Sequence, residues 1–218
     1  MHLSCRAVLF DSDGVLVDSD ASVVRAWDRW SRQYGQNADS VIASVHGRRS
    51  ADTIAALIAP DLQAQALIDI DTYEVDDAAL VTAVPGAAAL VADIPADARA
   101  VVTSAKRALL LARLAAADLP IPAVVVAAED VPAGKPDPAG YLAAAASLRV
   151  PITSAIVIED SVSGVDAARA AGVGAVIGVS ERALATDADA VVEDLRSVRW
   201  TSGGLTIDDA AALRISPR

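Results

Sequence analysis

Three aspartates surround a glycine near the start of the chain, in the segment LFDSDGVLVDS at residues 9–19. The apolar residues before Asp11 predict a short buried strand at 6–10, so Asp11 and Asp13 directly follow a strand. Carboxylates this close together repel one another, and we expect a positive group beside them. An ionised Asp11 that faces a divalent cation keeps an oxygen that can attack phosphorus. Asp13 is well placed to give a proton to a leaving alcohol and later to take one from water.

Polar residues also stand at or after the ends of three later predicted strands. They are Ser104, Lys135 in GKPDP, and the acidic pair Glu159 and Asp160. Since ligands of an open parallel sheet bind outside the carboxyl ends of its strands, we expect these side chains to meet Asp11 in one crevice. Asp160 would add a second carboxylate for a metal, and hard oxygen ligands suit Mg²⁺. Ser104 and Lys135 would neutralise and orient phosphoryl oxygens.

Each of these residues also has a plainer interpretation. Ser104 is expected to cap the helix that follows it as well as to bind a ligand. Lys135 taken alone would be a surface lysine in a proline-rich loop, and Glu159 and Asp160 could simply favour the start of the next helix. These residues follow four different predicted strands, the first of which is followed by Asp11 and Asp13. Their occurrence together favours a site for phosphate and metal.

Apolar strands alternate with helical patterns from residue 84 onward, which is typical of a parallel α/β sheet covered on both faces. The segment 20–82 instead has helical spacing, as in Val23, Trp27 and Trp30, and contains no convincing strand. We expect one α/β domain interrupted by a helical insertion. The residues around Trp200 predict a small hairpin. The predicted later strands are 99–104, 123–128, 155–160, 174–179 and 188–192.

Composition limits the possible partners and setting. Of the 218 residues, 54% are hydrophobic and 3% aromatic, so the core must be built from small aliphatic side chains. The net charge of −11 argues against a nucleic-acid partner. The single cysteine, Cys5, excludes an intrachain disulfide and is expected to be a small buried hydrophobe. We expect no membrane partner and a cytoplasmic location, because apolar runs are short and a signal-peptide layout is lacking.

The segments FDSDGVLVDS, VVTS, GKPDP and VIEDSVSGVDAARAAG resemble the four motifs of the haloacid dehalogenase superfamily, in the same order. The resemblance runs over residues 6–180. It implies a Rossmann-like parallel sheet with helices on both faces, formed by residues 1–17 and 83–218. It also implies an inserted α-helical cap at 18–82 and an aspartyl-phosphate intermediate.

The same resemblance implies a role for each motif residue. Mg²⁺ would be held by the carboxylates of Asp11 and Asp160 and by the backbone carbonyl of Asp13, with Glu159 as a supporting acid. Asp11 and Asp13 would be the catalytic pair. The phosphate would be bound by Ser104, Ala105 and Lys135.

The choice of reaction depends on two positions. Dehalogenases need no acid two residues after the nucleophile, because halide leaves without a proton, so Asp13 favours phosphoryl transfer. The chain resembles the β-phosphoglucomutase-like subgroup, whose mutases carry a histidine twelve residues after the nucleophile. Val23 stands there in this sequence, which weakens the mutase alternative without excluding it.

The segment HGRRSADTIAALIAPDL at 46–62 is similar to the cap of glycerol-3-phosphatases and 2-deoxyglucose-6-phosphatases. In those relatives a His-Gly pair and a nearby arginine face the active site. His46, Gly47 and Arg49 match this pattern, and Arg48 replaces an apolar or aromatic residue. The alternative for Arg48 and Arg49 is an exposed position at a helix start.

The sequence therefore predicts a Mg²⁺-dependent phosphatase that acts on a small phosphorylated sugar or polyol. A sugar phosphomutase is the main alternative. A non-catalytic regulator that binds phosphorylated ligands is less favoured, because no catalytic acid is missing. We expect a monomer or a weak homodimer.

Overall fold

The computed structural model describes residues 1–216, so Pro217 and Arg218, which the predicted core includes, lie outside the described residues. The strands are β1 (His2–Ser4), β2 (Ala7–Phe10), β3 (Val17–Asp18), β4 (Thr82–Ala83), β5 (Arg99–Val102), β6 (Val125–Val126), β7 (Ala155–Glu159), β8 (Ala175–Val179), β9 (Ala190–Val192), β10 (Val198–Thr201), β11 (Gly204–Ile207) and β12 (Ala212–Ile215). The α-helices are α1 (Asp20–Gln33), α2 (Ala38–Val45), α3 (Ser50–Leu57), α4 (Pro60–Asp76), α5 (Ala87–Asp93), α6 (Arg107–Ala116), α7 (Ala139–Ser147) and α8 (Val162–Ala171).

A seven-stranded sheet in the order β12-β9-β8-β7-β2-β5-β6 forms the centre of the molecule. Every neighbouring pair is parallel except β12 with β9. Strand β2 lies between β7 and β5, and every residue of β2 and β7 is buried, as expected for strands covered on both faces. The predicted α/β fold is confirmed.

Two hydrophobic clusters cover the two faces of this sheet. Val8 and Phe10 of β2 point to the cluster that includes residues of α5 and α6, whereas Leu9 points to the cluster that includes residues of α7 and α8. This alternation follows from the two-residue period of a strand. The consequence for function is that the carboxyl ends of β2 and β7 are held rigidly side by side.

Helices α1–α4 have a separate hydrophobic cluster, which includes Trp27 and Trp30. The indole of Trp30 is fully buried, and its Nε1 donates a hydrogen bond to the carbonyl of Ala66 at 2.9 Å. Strands β3 and β4 pair antiparallel, so the chain leaves the sheet domain and returns to it at adjacent points. We therefore propose that residues 18–82 form an inserted unit, called the cap below.

The edges of the fold differ from the sequence prediction. The predicted hairpin is present as β10 and β11, but β1 at the N-terminus adds a third strand beside β11. Strand β1 was not predicted, because only Leu3 of its three residues is buried. The predicted strand 123–128 is reduced to β6.

Among residues 1–216, no helix combines the length and apolar character that a membrane crossing requires.

The buried indole of Trp30 generates a prediction about the cap. We expect Trp30→Ala to lower the free energy of unfolding by about 3–5 kcal/mol, because it removes packing and leaves the Ala66 carbonyl unpaired. Urea denaturation followed by circular dichroism measures this change. Val24→Ala is the matched control, since Val24 lies on the same helix and is 40% exposed. Equal losses in the two variants would contradict the assigned core.

Candidate active site

Asp11 follows β2 directly, and its backbone N–H donates to the carbonyl of Ile158 in β7 at 2.9 Å. The loop after it turns tightly, with the Gly14 N–H bonded to the Val17 carbonyl. Gly14 has a φ of +77°, and a Cβ added there would lie 2.2 Å from an oxygen of Asp160. Glycine is therefore required both by the turn and by the close approach of Asp160.

Three buried carboxylates meet at the ends of β2 and β7. Asp11, Glu159 and Asp160 each offer an oxygen, and these oxygens all lie within 4.8 Å of one another. The ammonium group of Lys135, also buried, donates to Oδ1 of Asp11 and to Oε1 of Glu159. Lys135 is therefore the positive group expected beside the first motif.

Burial controls the protonation of these acids. It raises the pKa of Asp11 well above the usual range, against the opposing effect of Lys135. Burial, together with the neighbouring Glu159, raises the pKa of Asp160 to about 7. Burial also favours the neutral form of Glu159, but Lys135 and hydrogen-bond donors outweigh it and hold the pKa of Glu159 below its usual value. The positive side chains nearby therefore do not fully offset the effect of burial on Asp11 and Asp160, and a further positive charge would favour their ionised forms.

The donor set fits a hard divalent cation. One oxygen of Asp11 is bound to Lys135 and one oxygen of Asp160 to Arg182, which leaves the other oxygen of each carboxylate for a further ligand. Glu159 differs from them, because its Oε1 accepts from Lys135 and Tyr141 while its Oε2 accepts from the Ser161 hydroxyl and two backbone amides. Glu159 is thus engaged in holding Lys135 and the start of α8.

A cleft opens between this cluster and the cap. Five of the predicted site residues line this cleft on the core side: Asp11, Asp13, Ser104, Ala105 and Asp160. On the cap side, it is lined by Val23, Trp27, Val45, His46, Gly47 and Arg48, among others. Lys135 lies behind Asp11 and not in the cleft wall. The cleft is thus acidic around Asp11 and mixed in polarity on the cap side.

Gly47 and Ser104 join the cap to the core beside the cleft. The Ser104 hydroxyl donates to the Gly47 carbonyl at 2.8 Å. A Cβ on Gly47, whose φ is +71°, would lie 2.1 Å from the hydroxyl oxygen of Ser161. The expectation that Ser104 also caps the next helix is wrong, because α6 begins three residues later, at Arg107, and Lys106 occupies its N-cap position. The N–H of Ala105 donates to the hydroxyl of Thr103.

Arg49 is not among the residues that line the cleft. Its guanidinium donates to the carbonyls of Val131 and Pro132, at 2.9 and 3.5 Å, in the loop that leads to Lys135. Arg48 lines the cleft instead. His46 lines it as well, and burial together with the nearby Arg182 lowers the pKa of its imidazole.

Two charged residues that the sequence reasoning missed also line the cleft. Arg113 of α6 donates from Nη1 to Oδ1 of Asp13 at 2.8 Å, and its Nη2 lies 3.5 Å from Oε1 of Glu74 in cap helix α4. Both lie on buried stripes: Arg113 follows Leu109 by four residues, as Glu74 follows Ile70. A charged residue at an otherwise apolar position of a helical pattern is the sequence feature that would have identified both residues.

A third missed residue, Arg182, follows β8. Its guanidinium donates from Nη1 to Asp160 and from Nη2 to Oδ2 of Asp20 at 2.6 Å, and Asp20 is the first residue of cap helix α1. Arg182 thus connects the carboxylate cluster with the cap. It lies in a short 3-10 helix whose sequence carries no motif.

Glu74 generates a prediction about pH and stability. Burial raises its pKa from 4.5 to about 7, so between these values the folded chain keeps a proton that the unfolded chain has lost. Stability should therefore fall as pH rises through this window in the wild type but not in Glu74→Gln. The difference in unfolding free energy between the two proteins should change by about 3 kcal/mol between about pH 4 and about pH 8.

Denaturation curves at a series of pH values measure this difference. Asp76→Asn serves as the control, because Asp76 ends the same helix and its side chain is 61% exposed. We expect its difference from the wild type to stay nearly constant with pH. A Glu74→Gln difference that is equally constant would contradict the raised pKa of Glu74.

Comparison with known proteins agrees with this geometry. Residues 5–172 match the family of haloacid dehalogenase-like hydrolases. The chain is 34% identical to hexitol phosphatase A of Escherichia coli (strain K12) over 209 residues, which cover 91% of this chain and 95% of that protein. It is also 34% identical to validoxylamine A 7'-phosphate phosphatase of Streptomyces hygroscopicus subsp. limoneus, over 89% of this chain and 96% of that one.

Among solved structures, the fold is similar to that of a hydrolase from Pseudomonas syringae. The TM-score is 0.79 at 25% identity, and the match covers 87% of this chain and 94% of that chain. The family match spans all four motif regions, from the strand before Asp11 to the helix after Asp160. The chain therefore belongs to the haloacid dehalogenase-like hydrolases.

Proposed function

We propose that the protein is a Mg²⁺-dependent phosphatase that hydrolyses a small phosphorylated sugar or polyol through a phosphorylated Asp11. The observation that carries this proposal is the contrast between two acids two residues apart. Asp11 is buried and fixed by Lys135, whereas the carboxylate of Asp13 is 28% exposed and lines the cleft. One acid is therefore suited to nucleophilic attack and the other to proton transfer.

The first step forms a bond between an Asp11 oxygen and phosphorus while the bond from phosphorus to the alcohol oxygen breaks. Asp13 gives its proton to that alcohol, which leaves as a neutral molecule. In the second step, the Asp13 carboxylate takes a proton from water, the water oxygen bonds to phosphorus, and the bond between phosphorus and the Asp11 oxygen breaks. Inorganic phosphate leaves, and both aspartates return to their starting states.

The carboxylates of Asp11 and Asp160 and the backbone carbonyl of Asp13 would hold the Mg²⁺. When bound, the ion supplies positive charge to the phosphoryl oxygens and to the two buried acids. Lys135 keeps Asp11 oriented and supplies further positive charge to the site. Ser104 and Ala105 line the cleft with Asp11, and the Ser104 hydroxyl, which here donates to the Gly47 carbonyl, would turn to a phosphoryl oxygen of the bound substrate.

The cap side of the cleft supports a small polyhydroxylated substrate. His46, Arg48 and Ser50 offer polar groups for substrate hydroxyls, and Trp27 and Val45 give it apolar walls. The names of the relatives, a hexitol phosphatase and a validoxylamine 7'-phosphate phosphatase, are consistent with such substrates. Val23 lines the cleft at the position where related mutases have a histidine, which favours hydrolysis over isomerisation. We expect a monomer or a weak homodimer.

The nucleophile generates the first test of this proposal. Asp11→Asn should reduce phosphate release from a panel of sugar and polyol phosphates at least about 1,000-fold, because the amide cannot attack phosphorus. Asp18→Asn is the matched control, an exposed aspartate seven positions later that should leave the rate unchanged. Circular dichroism checks that both variants are folded. Turnover by folded Asp11→Asn at the wild-type rate would overturn the proposal.

The metal generates a second test that does not depend on turnover. Mg²⁺ at 100 times its dissociation constant should stabilise the wild type by about 2.7 kcal/mol, measured by thermal or urea unfolding. Asp160→Asn should lose most of this stabilisation, because it removes one of the negatively charged ligands. Asp166→Asn on the following helix is the control. Equal stabilisation of all three proteins would contradict a Mg²⁺ site at Asp160.

A further inference from the structure

We propose that Arg113 is a positioning residue for the proton-transfer acid Asp13, and that Glu74 of the cap holds Arg113 in place. The orientation of the acid would then depend on the packing of cap helix α4 against core helix α6. This inference rests on the proposed phosphatase function and identifies how one of its steps is controlled.

The contact between Arg113 and Asp13 is direct. Nη1 of Arg113 donates to Oδ1 of Asp13 at 2.8 Å, and the Arg113 side chain is only 2% exposed. Among the side chains of residues 1–216, only that of Arg113 donates a hydrogen bond to the Asp13 carboxylate. Fixing Oδ1 leaves Oδ2 of Asp13 to exchange the proton with the leaving alcohol and then with water.

Arg113 is poorly satisfied where it lies. Its Nε and Nη2 are buried without a hydrogen-bond partner among the described residues, and the nearest acidic oxygen to Nη2 is Oε1 of Glu74 at 3.5 Å. Leaving buried donors unpaired costs stability. The neighbours Leu109, Leu110 and Leu114 are all buried. An apolar side chain would suit this stripe, so packing alone does not account for the arginine.

The proton balance gives the guanidinium a use in both steps. When Asp13 gives its proton to the leaving oxygen, it becomes a carboxylate in the cleft beside Asp11 and Asp160. The positive charge of Arg113 lies next to that carboxylate and stabilises it. The same charge keeps the carboxylate oriented while it takes a proton from water. Glu74 lies 3.5 Å from Nη2, the terminal nitrogen that does not contact Asp13, and would hold the guanidinium in this orientation.

Leaving-group dependence is the test, because a good leaving group needs no proton from Asp13. We expect Arg113→Met to lower kcat/KM about 10- to 100-fold for a polyol phosphate with an alkyl leaving group. For 4-nitrophenyl phosphate we expect a loss of less than about 3-fold, since the departing phenolate is stable without a proton. Glu74→Gln should show the same selectivity with a smaller loss. Arg107→Met, on the same helix but 41% exposed, should change neither value.

Arg113→Lys keeps a charge near Asp13 and should restore part of the loss, and it serves as the main variant if Arg113→Met does not fold. Urea denaturation measures the stability of each variant, and a purely structural arginine predicts that any loss of rate is equal on both substrates and follows the loss of stability. Equal losses on both substrates, or no loss on either, would overturn the positioning role. A wild type that releases phosphate from no substrate would instead overturn the proposed function itself.

Discussion

The buried negative charge at the ends of β2 and β7 is the constraint on which the rest of the structure depends. Asp11, Glu159 and Asp160 each place an oxygen within 4.8 Å of the other two, at the edge of a buried sheet. Such charge is tolerated only where it is paired, hydrogen-bonded or neutralised. Lys135 bridges two of the acids, and Arg182 pairs with the third. The remaining deficit of positive charge suits the cluster to a hard divalent cation.

The cap takes part in the same charge arrangement and does not only cover the cleft. Asp20 and Glu74 of the cap each contact an arginine of the core, Arg182 and Arg113 respectively. Those arginines in turn contact Asp160 and Asp13. Asp160 and Asp13 are thus each connected to a carboxyl group of the cap through one guanidinium. Movement of the cap relative to the core would therefore change the surroundings of both acids together.

The sequence predicted the parallel sheet and the residues at its strand ends, because strand ends and short motifs are local features of the chain. It did not predict Arg113, Glu74 or Arg182, whose partners lie far away in sequence; Arg113 and Asp13, for example, are 100 positions apart. Arg49 illustrates a different limit. Its type matched a cap pattern, but the direction of its side chain depends on how α3 meets the loop at Val131. Strand β1 was missed because three residues with one buried side chain carry too weak a pattern.

The central claim is that phosphorus becomes bonded to Asp11 during turnover, and rapid acid quenching tests it most directly. Enzyme mixed with excess substrate and Mg²⁺ is quenched at intervals, digested and examined by mass spectrometry. The account predicts one phosphoryl group on the peptide that contains Asp11. With 4-nitrophenyl phosphate, whose leaving group needs no proton, it predicts more of this peptide in Asp13→Asn, where water is not activated. Phosphate release without any phosphorylated peptide, or with the group on another residue, would contradict the account.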